Sequence, residues 1–240
     1  MKKFVFIDVG DTLLHLKRSP NQIYYSVFKK HRLIPDSITE DIAEKILWNA
    51  WRELSKPDDE FRDRYYHHPR GNNGWWIDLI SRYLNDIHSN NKVQPNEESI
   101  QEIFYEFDNP DVWHLDESFF ELEIFLRSNQ IGLGIISNWD NRLKKLLEKK
   151  NLLRYFRHVI VSAEFGYEKP SPKIFQEAER LTSVSGKDLL YIGDKLDLDI
   201  LPTRNLSWKS LHIVKTKINS EYEITKLSDA INIINQEFLV

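Results

Sequence analysis

The run Phe4-Val5-Phe6-Ile7-Asp8-Val9-Gly10-Asp11-Thr12-Leu13 carries the strongest structural signal in this 240-residue chain. Its first four residues are aromatic or β-branched, and the run stops at Asp8, where turn-forming residues begin. A short, uninterrupted apolar run of this kind is typical of a strand buried on both faces of a parallel sheet. The sequence therefore predicts a central strand over residues 4–7 that presents Asp8 at its carboxyl end.

The second half of the chain repeats this pattern, with apolar runs alternating with amphipathic segments. Further strands are predicted over residues 131–136, 158–161, 189–192 and 210–214. Helices are predicted over residues 119–126, 142–150, 172–181 and 224–234. Alternating strands and helices fold into right-handed βαβ units, which place helices on both faces of a parallel sheet. We therefore expect an α/β fold with a doubly wound, Rossmann-like core.

The segment from residue 16 to residue 115 differs from this core. Apolar residues recur there at helical spacing, and turn-rich breaks at residues 56–59 and 70–74 divide it into roughly four helices. The predicted domains are therefore a core built from residues 1–15 and 116–240, and an all-helical insertion over residues 16–115.

Composition narrows the classes of function. The 33 Lys and Arg residues nearly balance the 37 Asp and Glu residues, so the basic excess of a nucleic-acid-binding protein is absent. No run approaches the ~20 apolar residues of a membrane-spanning helix. The lack of cysteine excludes disulfides, thiolate metal ligands and a cysteine nucleophile. We expect a soluble cytoplasmic protein with neither a nucleic-acid nor a membrane partner.

Polar residues follow three of the predicted strands at the point where each strand ends. They are Asp8, Ser137-Asn138 and Gly193-Asp194. Ligands of open α/β sheets bind at the carboxyl ends of the strands, so these residues are expected to converge. Two converging carboxylates repel each other unless a cation lies between them. Oxygen ligands without His or Cys suit Mg²⁺, which also bridges phosphate oxygens, and the pattern predicts a metal-assisted phosphate site.

Four segments resemble, in order, the motifs of the haloacid dehalogenase-like (HAD) hydrolase superfamily. They are Asp8 to Leu13, Ser137-Asn138, Lys169-Pro170, and Gly193-Asp194 together with Asp199. Each motif is weak alone, but all four occur in the correct order at strand ends or in the loop beyond. The helical insertion occupies the place of the mobile cap of this superfamily. The resemblance thus implies a Rossmann-like core with a helical cap.

The resemblance also implies a role for each matching residue. Asp8 would attack phosphorus and form an aspartyl-phosphate that water then cleaves. Mg²⁺ would be held by Asp8, Asp194 and the backbone carbonyl of Gly10. Asp199 would ligate the ion or orient its waters, and Thr12 would support the first loop.

Three further residues are expected to act on the substrate phosphate. Ser137 would donate a hydrogen bond to a phosphate oxygen, and Asn138 beside it would contribute to substrate binding. Lys169 would neutralise charge between Asp8 and the transferring group. Taken alone, Ser137 and Asn138 could instead cap a helix that begins near Asp140, and Lys169 could be a solvated loop lysine.

The chain departs from the phosphatase pattern at one position. Phosphatases of this superfamily carry a second Asp two residues after the nucleophile as a general acid, and Gly10 stands there instead. Asp11 is one residue later, so its side chain is expected to point elsewhere. Loss of a positioned acid costs roughly 10²–10⁴ in rate. Leaving groups that depart without protonation, as from an acyl or aryl phosphate, tolerate that loss, and so does a site in which the insertion or Asp11 supplies the proton.

These inferences favour a Mg²⁺-dependent phosphatase for a small phosphorylated molecule, with weakened activity because of Gly10. One alternative is a degenerate binding module of the same fold, for which Gly10 is the best support. The other is a 2-haloacid dehalogenase, which uses no metal and would leave the acidic set without a purpose. The sequence gives no indication of the oligomeric state.

The aromatic residues of the insertion have two possible roles. They could line a substrate pocket, but a helical layer of this size also needs large side chains for its own core. We favour the core role for most of them. These residues are Trp48, Trp51, Tyr65, Tyr66, Trp75 and Trp76.

Overall fold

The computed structural model of the protein describes residues 3–89, 93–215 and 218–238. The predicted core range also covers residues 1–2, 216–217 and 239–240, and the predicted insertion covers residues 90–92. Those parts of both predictions lie outside the described residues.

The central element is a six-stranded parallel sheet in the order β5-β4-β1-β6-β7-β8. Its strands are β1 (Phe4–Ile7), β4 (Gly132–Ser137), β5 (His158–Val161), β6 (Leu189–Gly193), β7 (Lys209–Ile213) and β8 (Glu223–Ile224). The helices that follow β3 (Trp113–Leu115) are α5 (Phe119–Ser128), α6 (Leu143–Lys149), α7 (Ser162–Phe165), α8 (Pro172–Thr182), α9 (Leu201–Asn205) and α10 (Ala230–Ile233). The predicted α/β, doubly wound fold class is confirmed.

The alternation of side chains in β1 explains why both faces of the sheet are covered. Val5 and Ile7 are fully buried in the larger apolar cluster, which includes residues of α5, α6 and α10. Phe4 and Phe6 point the other way, into a second cluster with residues of α8. Successive side chains of a strand face opposite sides, so an uninterrupted apolar run requires two covering layers.

The inserted segment begins and ends on a two-stranded antiparallel ribbon. Strand β2 (Leu14–Leu16) pairs with β3, and His15 lies opposite His114. Between them lie α1 (Pro20–Lys30), α2 (Glu40–Leu54), α3 (Gly71–Ile87) and α4 (Glu97–Asp108). None of the helices in the described part of the chain is both long enough and apolar enough to cross a bilayer.

Local sequence signals start three of these helices. Ser19 and Gln22 form a capping box at the start of α1, with Pro20 at the first helical position. Thr39 caps α2 and Asn96 caps α4, each by accepting a hydrogen bond from a backbone N–H in the first turn.

The prediction that a closing helix covers residues 224–234 is wrong about where this helix begins. Ile224 ends β8 and pairs with Ile213 at the sheet edge, and α10 begins only at Ala230. Asp229 Oδ2 accepts hydrogen bonds from the backbone N–H groups of Thr225 and Lys226, so this segment turns before the helix begins.

The strand order sets the place of the site. The chain leaves β1 for β4 and β5 on one side, then returns to β6 on the other side. Ile7 is aligned with Ile135 of β4 and with Ile192 of β6. The residue after Ile7 therefore lies at the point where strand order reverses, which is the ligand crevice of an open α/β sheet.

Candidate active site

Three carboxylates meet at this edge of the sheet. Asp8 follows β1, and its backbone N–H donates to the carbonyl of Ile192 at 2.9 Å. Asp194 follows β6, and Asp199 lies one turn further along. One oxygen from each of these three carboxylates lies within 4.8 Å of the others. The structure thus brings together the three acidic side chains that the sequence singled out, although Asp8 and Asp199 are 191 residues apart in the chain.

Lys169 lies directly beside two of these carboxylates. Its Nζ lies 2.6 Å from Asp199 Oδ1 and 2.9 Å from Asp8 Oδ1. The contact with Asp199 is a hydrogen bond, whereas the contact with Asp8 is an ion pair without hydrogen-bond alignment. Only 3% of Lys169 is exposed, so it is not a solvated loop lysine.

Two further residues hold Lys169 in place. The Asn138 side chain accepts from the Lys169 backbone N–H at 2.6 Å and donates to its carbonyl at 2.9 Å. The hydroxyl of Tyr191 lies 3.0 Å from Lys169 Nζ and donates to the Ile136 carbonyl at 2.7 Å. Sequence reasoning missed Tyr191; the available signal was a tyrosine inside an otherwise apolar buried strand, where its hydroxyl needs a polar partner.

Burial and the charges of neighbouring groups shift the pKa values of the residues in this cluster. Burial raises the pKa of Asp199; Lys169 opposes this rise, and the charge of Asp8 adds to it. Burial also raises the pKa of Asp194, opposed by Lys195 and reinforced by Asp8. Burial by itself would lower the pKa of Lys169, but Asp199 and Asp8 outweigh it and hold that pKa above its usual value.

Gly193 makes the position of Asp199 possible. A Cβ built on Gly193 would lie 2.5 Å from Asp199 Cγ, closer than real atoms approach. Asp199 lies in a π-helical turn, Leu196–Ile200, and its Oδ2 accepts from the backbone N–H of Lys195 at 3.0 Å. Packing therefore explains why a glycine precedes Asp194 at the end of β6. Without a side chain at Gly193, the Asp199 carboxylate can lie behind that of Asp194.

The donor set fits a hard divalent cation. Asp194 Oδ1 is buried and has no hydrogen-bond partner among the described residues, and the buried Asp8 Oδ1 has an ion pair with Lys169 but no aligned hydrogen bond there. Buried carboxylate oxygens in proteins are almost always paired, and two that share one place favour a cation. Oxygen ligands alone suit Mg²⁺. The neighbouring ammonium groups belong to Lys169 and to Lys195, which pairs with Asp194.

The remaining predicted positions lie around this centre. Ser137 ends β4 and is 2% exposed. Gly10 lies in the turn after Asp8, bridged to Leu14. Thr12 is fully buried in the same turn, with no partner for its hydroxyl within the described segments. Asp11 pairs with Lys215, whose Nζ lies 3.2 Å from its Oδ1, and its charge also raises the pKa of Asp194.

Neither Ser137 nor Asn138 caps a helix. Helix α6 begins at Leu143, later than the predicted start near residue 140, and it has no side-chain cap. Asp140 Oδ1 instead accepts from the backbone N–H of Arg142 at 2.9 Å. Because α6 begins only at Leu143, Asn138 lies in the loop after β4, where its side chain binds the backbone of Lys169.

The inserted segment contacts the core next to the site. Arg64 makes a two-pronged ion pair with Glu168, at 2.7 and 2.9 Å, directly beside Lys169 in the chain. Trp76 Nε1 donates to Asp140 Oδ2 at 2.7 Å, just beyond Asn138. Of the six aromatic residues noted above, Tyr65 and Trp75 are buried, and Trp48 and Tyr66 are exposed.

Comparison with known proteins identifies the family. The model for the haloacid dehalogenase-like hydrolase family matches residues 2–205. The chain belongs to this family. The HAD hydrolase assignment agrees with the fold and with the four motifs, three of which lie at strand ends and one in the loop before α8.

Two curated proteins and one solved structure show which known proteins this HAD hydrolase resembles. Haloacid dehalogenase-like hydrolase domain-containing protein 3 of Bos taurus is 26% identical over 233 residues, covering 92% of this chain and 89% of that protein. A glyceraldehyde 3-phosphate phosphatase of Methanopyrus kandleri is 27% identical over 202 residues, covering 83% and 78%. The HAD-hydrolase YfnB of Bacillus subtilis, solved bound to magnesium, has a TM-score of 0.71 at 22% identity, covering 98% and 99%. The last likeness shows the fold.

Proposed function

We propose that this HAD hydrolase is a Mg²⁺-dependent phosphatase that acts on a small phosphorylated molecule through an aspartyl-phosphate on Asp8. The observation that carries the proposal is the cluster of Asp8, Asp194 and Asp199, within 4.8 Å of one another, beside one buried lysine. The chain also resembles a relative that is named as a phosphatase, and the match covers most of both proteins, which supports the proposal.

Asp8 is the nucleophile of this proposal. Its backbone N–H is fixed by the sheet, and the ion pair with Lys169 restrains one carboxylate oxygen, so the other is free to attack phosphorus. Attack forms an oxygen–phosphorus bond and breaks the bond to the leaving group. Water then attacks phosphorus, releases phosphate and restores the carboxylate of Asp8.

The other residues act on charge and position. Asp8, Asp194, Asp199 and the Gly10 carbonyl would hold Mg²⁺, which supplies charge neutralisation for the phosphate oxygens when bound. Lys169 adds a second positive charge beside Asp8, and Ser137 donates to a phosphate oxygen. We assign Asn138 chiefly to positioning, since both ends of its side-chain amide bind the backbone of Lys169.

We propose further that residues 16–115 act as a cap over this site and residues 1–15 and 116–240 as the catalytic core. Arg64 and Trp76 of the insertion contact Glu168 and Asp140 of the core. These two core residues lie on the loops that carry Lys169 and Asn138, so the contacts support this division. Substrate would bind between these two parts.

A metal-independent dehalogenase fits the geometry less well. In that reaction Asp8 attacks carbon and a halide leaves without a proton, so the three-carboxylate cluster would have no role. Crowding carboxylates costs free energy unless a cation offsets their repulsion, which favours the metal-dependent reaction.

The experiment is hydrolysis of 4-nitrophenyl phosphate by wild type and Asp8→Asn, with Mg²⁺ and with a chelator. We expect turnover by wild type with Mg²⁺ alone, and none above background by Asp8→Asn. Asp197→Asn is the control, because Asp197 is exposed in the turn that also carries Asp199 and should leave turnover unchanged. Turnover by Asp8→Asn at the wild-type rate, or turnover insensitive to the chelator, would contradict the proposal.

A further inference from the structure

The connection between α2 and α3 lies against the core loop that joins α7 to α8. Residues 61–67 of this connection, the connecting segment, pair with that loop as two short antiparallel strands do. The Asp63 backbone N–H donates to the Gly166 carbonyl, and the Glu168 N–H donates to the Phe61 carbonyl, both at 3.0 Å. The backbone of the insertion is therefore bonded to the backbone of the core, in a register that does not depend on side chains.

Side chains strengthen the same contact. Arg64 donates to both carboxylate oxygens of the buried Glu168, at 2.7 and 2.9 Å. A two-pronged ion pair fixes orientation as well as distance. Asp63 is fully buried, and its Oδ1 accepts from the backbone N–H groups of Tyr65 and Tyr66, which holds the connecting segment in shape around Arg64.

The ion pair of Arg64 with Glu168 is poorly suited to a purely stabilising role. Burial raises the pKa of Glu168, and Arg64 opposes the rise without cancelling it, so the attraction does not fully offset the loss of hydration. Removal of one partner nevertheless leaves the other charge buried and uncompensated, and that charge must then move towards water. Lys169 is the next residue after Glu168, so such a movement would displace Lys169.

We propose that Arg64 is a positioning residue of the proposed phosphatase: it holds Glu168 in place and thereby keeps the ammonium group of Lys169 beside Asp8. The connecting segment stays docked on the core throughout turnover. This inference rests on the proposed function. The opposite role for a contact between an insertion and a core is a latch that opens in every catalytic cycle. A positioning residue and a latch differ in what happens when the contact is removed or locked.

The first experiment follows the position of Lys169 and needs no turnover. Acetic anhydride acetylates accessible lysines, and mass spectrometry of the peptides gives the rate at each one. Wild-type Lys169 should react slowly because only 3% of it is exposed. Arg64→Gln should raise this rate severalfold but leave the rate unchanged at Lys150, which is partly buried against the carbonyls of Pro110 and Trp113. A rise at both lysines would mean that the whole fold has loosened, and it would overturn the positioning role.

Two further variants separate the effect of the charge from the effect of substitution itself. Arg62→Gln is the matched control, because Arg62 is exposed and pairs with Asp58 rather than with the core, and Lys169 should stay protected. Arg64→Gln combined with Glu168→Gln leaves no buried charge unpaired, so the slow rate at Lys169 should return. An unchanged rate in Arg64→Gln, or no recovery in the double variant, overturns the inference.

The second experiment locks the connecting segment onto the core. Arg62 and Tyr167 face each other as a non-hydrogen-bonded antiparallel pair. Their Cα atoms should be about 4.5 Å apart, within the roughly 4.4–6.8 Å that a disulfide spans. The chain has no cysteine, so a protein with Arg62→Cys and Tyr167→Cys can form only this bridge within one molecule.

Turnover of 4-nitrophenyl phosphate with Mg²⁺ should have the same kcat in the oxidised and reduced forms of this locked variant. In Arg64→Gln, kcat should fall about 10- to 100-fold with little change in KM, because a displaced ammonium group weakens transition-state stabilisation more than substrate binding. A disulfide that stops turnover until it is reduced would identify a latch and overturn the inference. Acetylation reports the position of Lys169 whether or not wild type hydrolyses this ester, so failure of the inference and failure of the proposed function are distinguishable.

Discussion

At the scale of single residues, Lys169 links the parts of the site. It contacts two carboxylates from different segments and the hydroxyl of Tyr191, and it is almost completely buried. Burying a charge is costly unless it is paired, and removing one partner of a buried pair leaves the others uncompensated. Lys169 therefore contributes to stability as well as to the proposed reaction.

Replacing Lys169 by Met should destabilise the protein by about 3–5 kcal/mol, because Asp8 and Asp199 would remain buried without their cation. The measurement is urea unfolding in the presence of a chelator, so that no metal compensates for the lost charge. Lys145→Met, at an exposed position, is the control and should stay within about 0.5 kcal/mol of wild type. Equal stability of Lys169→Met and wild type would show that the lysine does not offset the carboxylates.

Some of these residue contacts could be predicted and others could not. The convergence of Asp8, Asp194 and Ser137 follows from their positions after buried strands, because parallel strands end at one edge of the sheet. The hydrogen bonds that join Lys169 to Tyr191 and to Asn138 could not be predicted, because they connect loops and strands whose relative positions depend on packing. The role of Gly193 likewise depends on where Asp199 lies in three dimensions.

At the scale of elements, the loop between α7 and α8 connects the core to the inserted segment. Glu168 is buried there and pairs with Arg64. Burial raises the pKa of Glu168, and Arg64 opposes the rise without cancelling it. The folded protein therefore holds a proton on Glu168 more tightly than the unfolded chain does, and this stabilisation is present at low pH.

Glu168→Gln should gain stability relative to wild type as the pH rises. Below the usual glutamate pKa, near 4.5, both side chains are neutral and the two proteins should be similarly stable. As the pH rises through the folded-state pKa, wild type loses the stabilisation and the variant does not. Unfolding free energies at pH 4 and pH 7 measure the difference. A variant that becomes less stable than wild type at pH 7 would mean that Arg64 lowers this pKa overall.

Strand and helix identities in the core were largely predictable, because long apolar runs and amphipathic repeats each have a distinct period. The exceptions are short elements. Strand β8 has two residues, so it offers no alternation, and its apolar Ile224 fits the helical pattern predicted for the residues that follow. The three-residue strands β2 and β3 were missed for the same reason.

At the scale of the whole molecule, the larger apolar cluster extends from the sheet into the inserted helices. The order of four motifs made the family predictable, and the α/β alternation made the core predictable. How the inserted helices pack was not, since periodicity shows which face of a helix is apolar but not what covers it. The contacts of Arg64 and Trp76 with the core loops belong to that unpredicted part.

Binding of Mg²⁺ should stabilise the folded molecule, since the three carboxylates are assembled only after folding. At a concentration 100 times the dissociation constant, the gain is about 2.7 kcal/mol. Thermal unfolding with and without Mg²⁺ measures this gain, and Asp194→Asn should remove most of it. Asp197→Asn should keep it. An equal shift in wild type and Asp194→Asn would place the ion elsewhere.

The most direct test of the aspartyl-phosphate is to trap it on Asp8. Wild-type protein is acid-quenched during turnover of 4-nitrophenyl phosphate with Mg²⁺, reduced with borohydride and digested, and its peptides are examined by mass spectrometry. We expect homoserine, the reduction product of an aspartyl-phosphate, at position 8 and not in the Asp8→Asn protein. Homoserine at another aspartate, or none at position 8 while phosphate is released, would contradict the central claim.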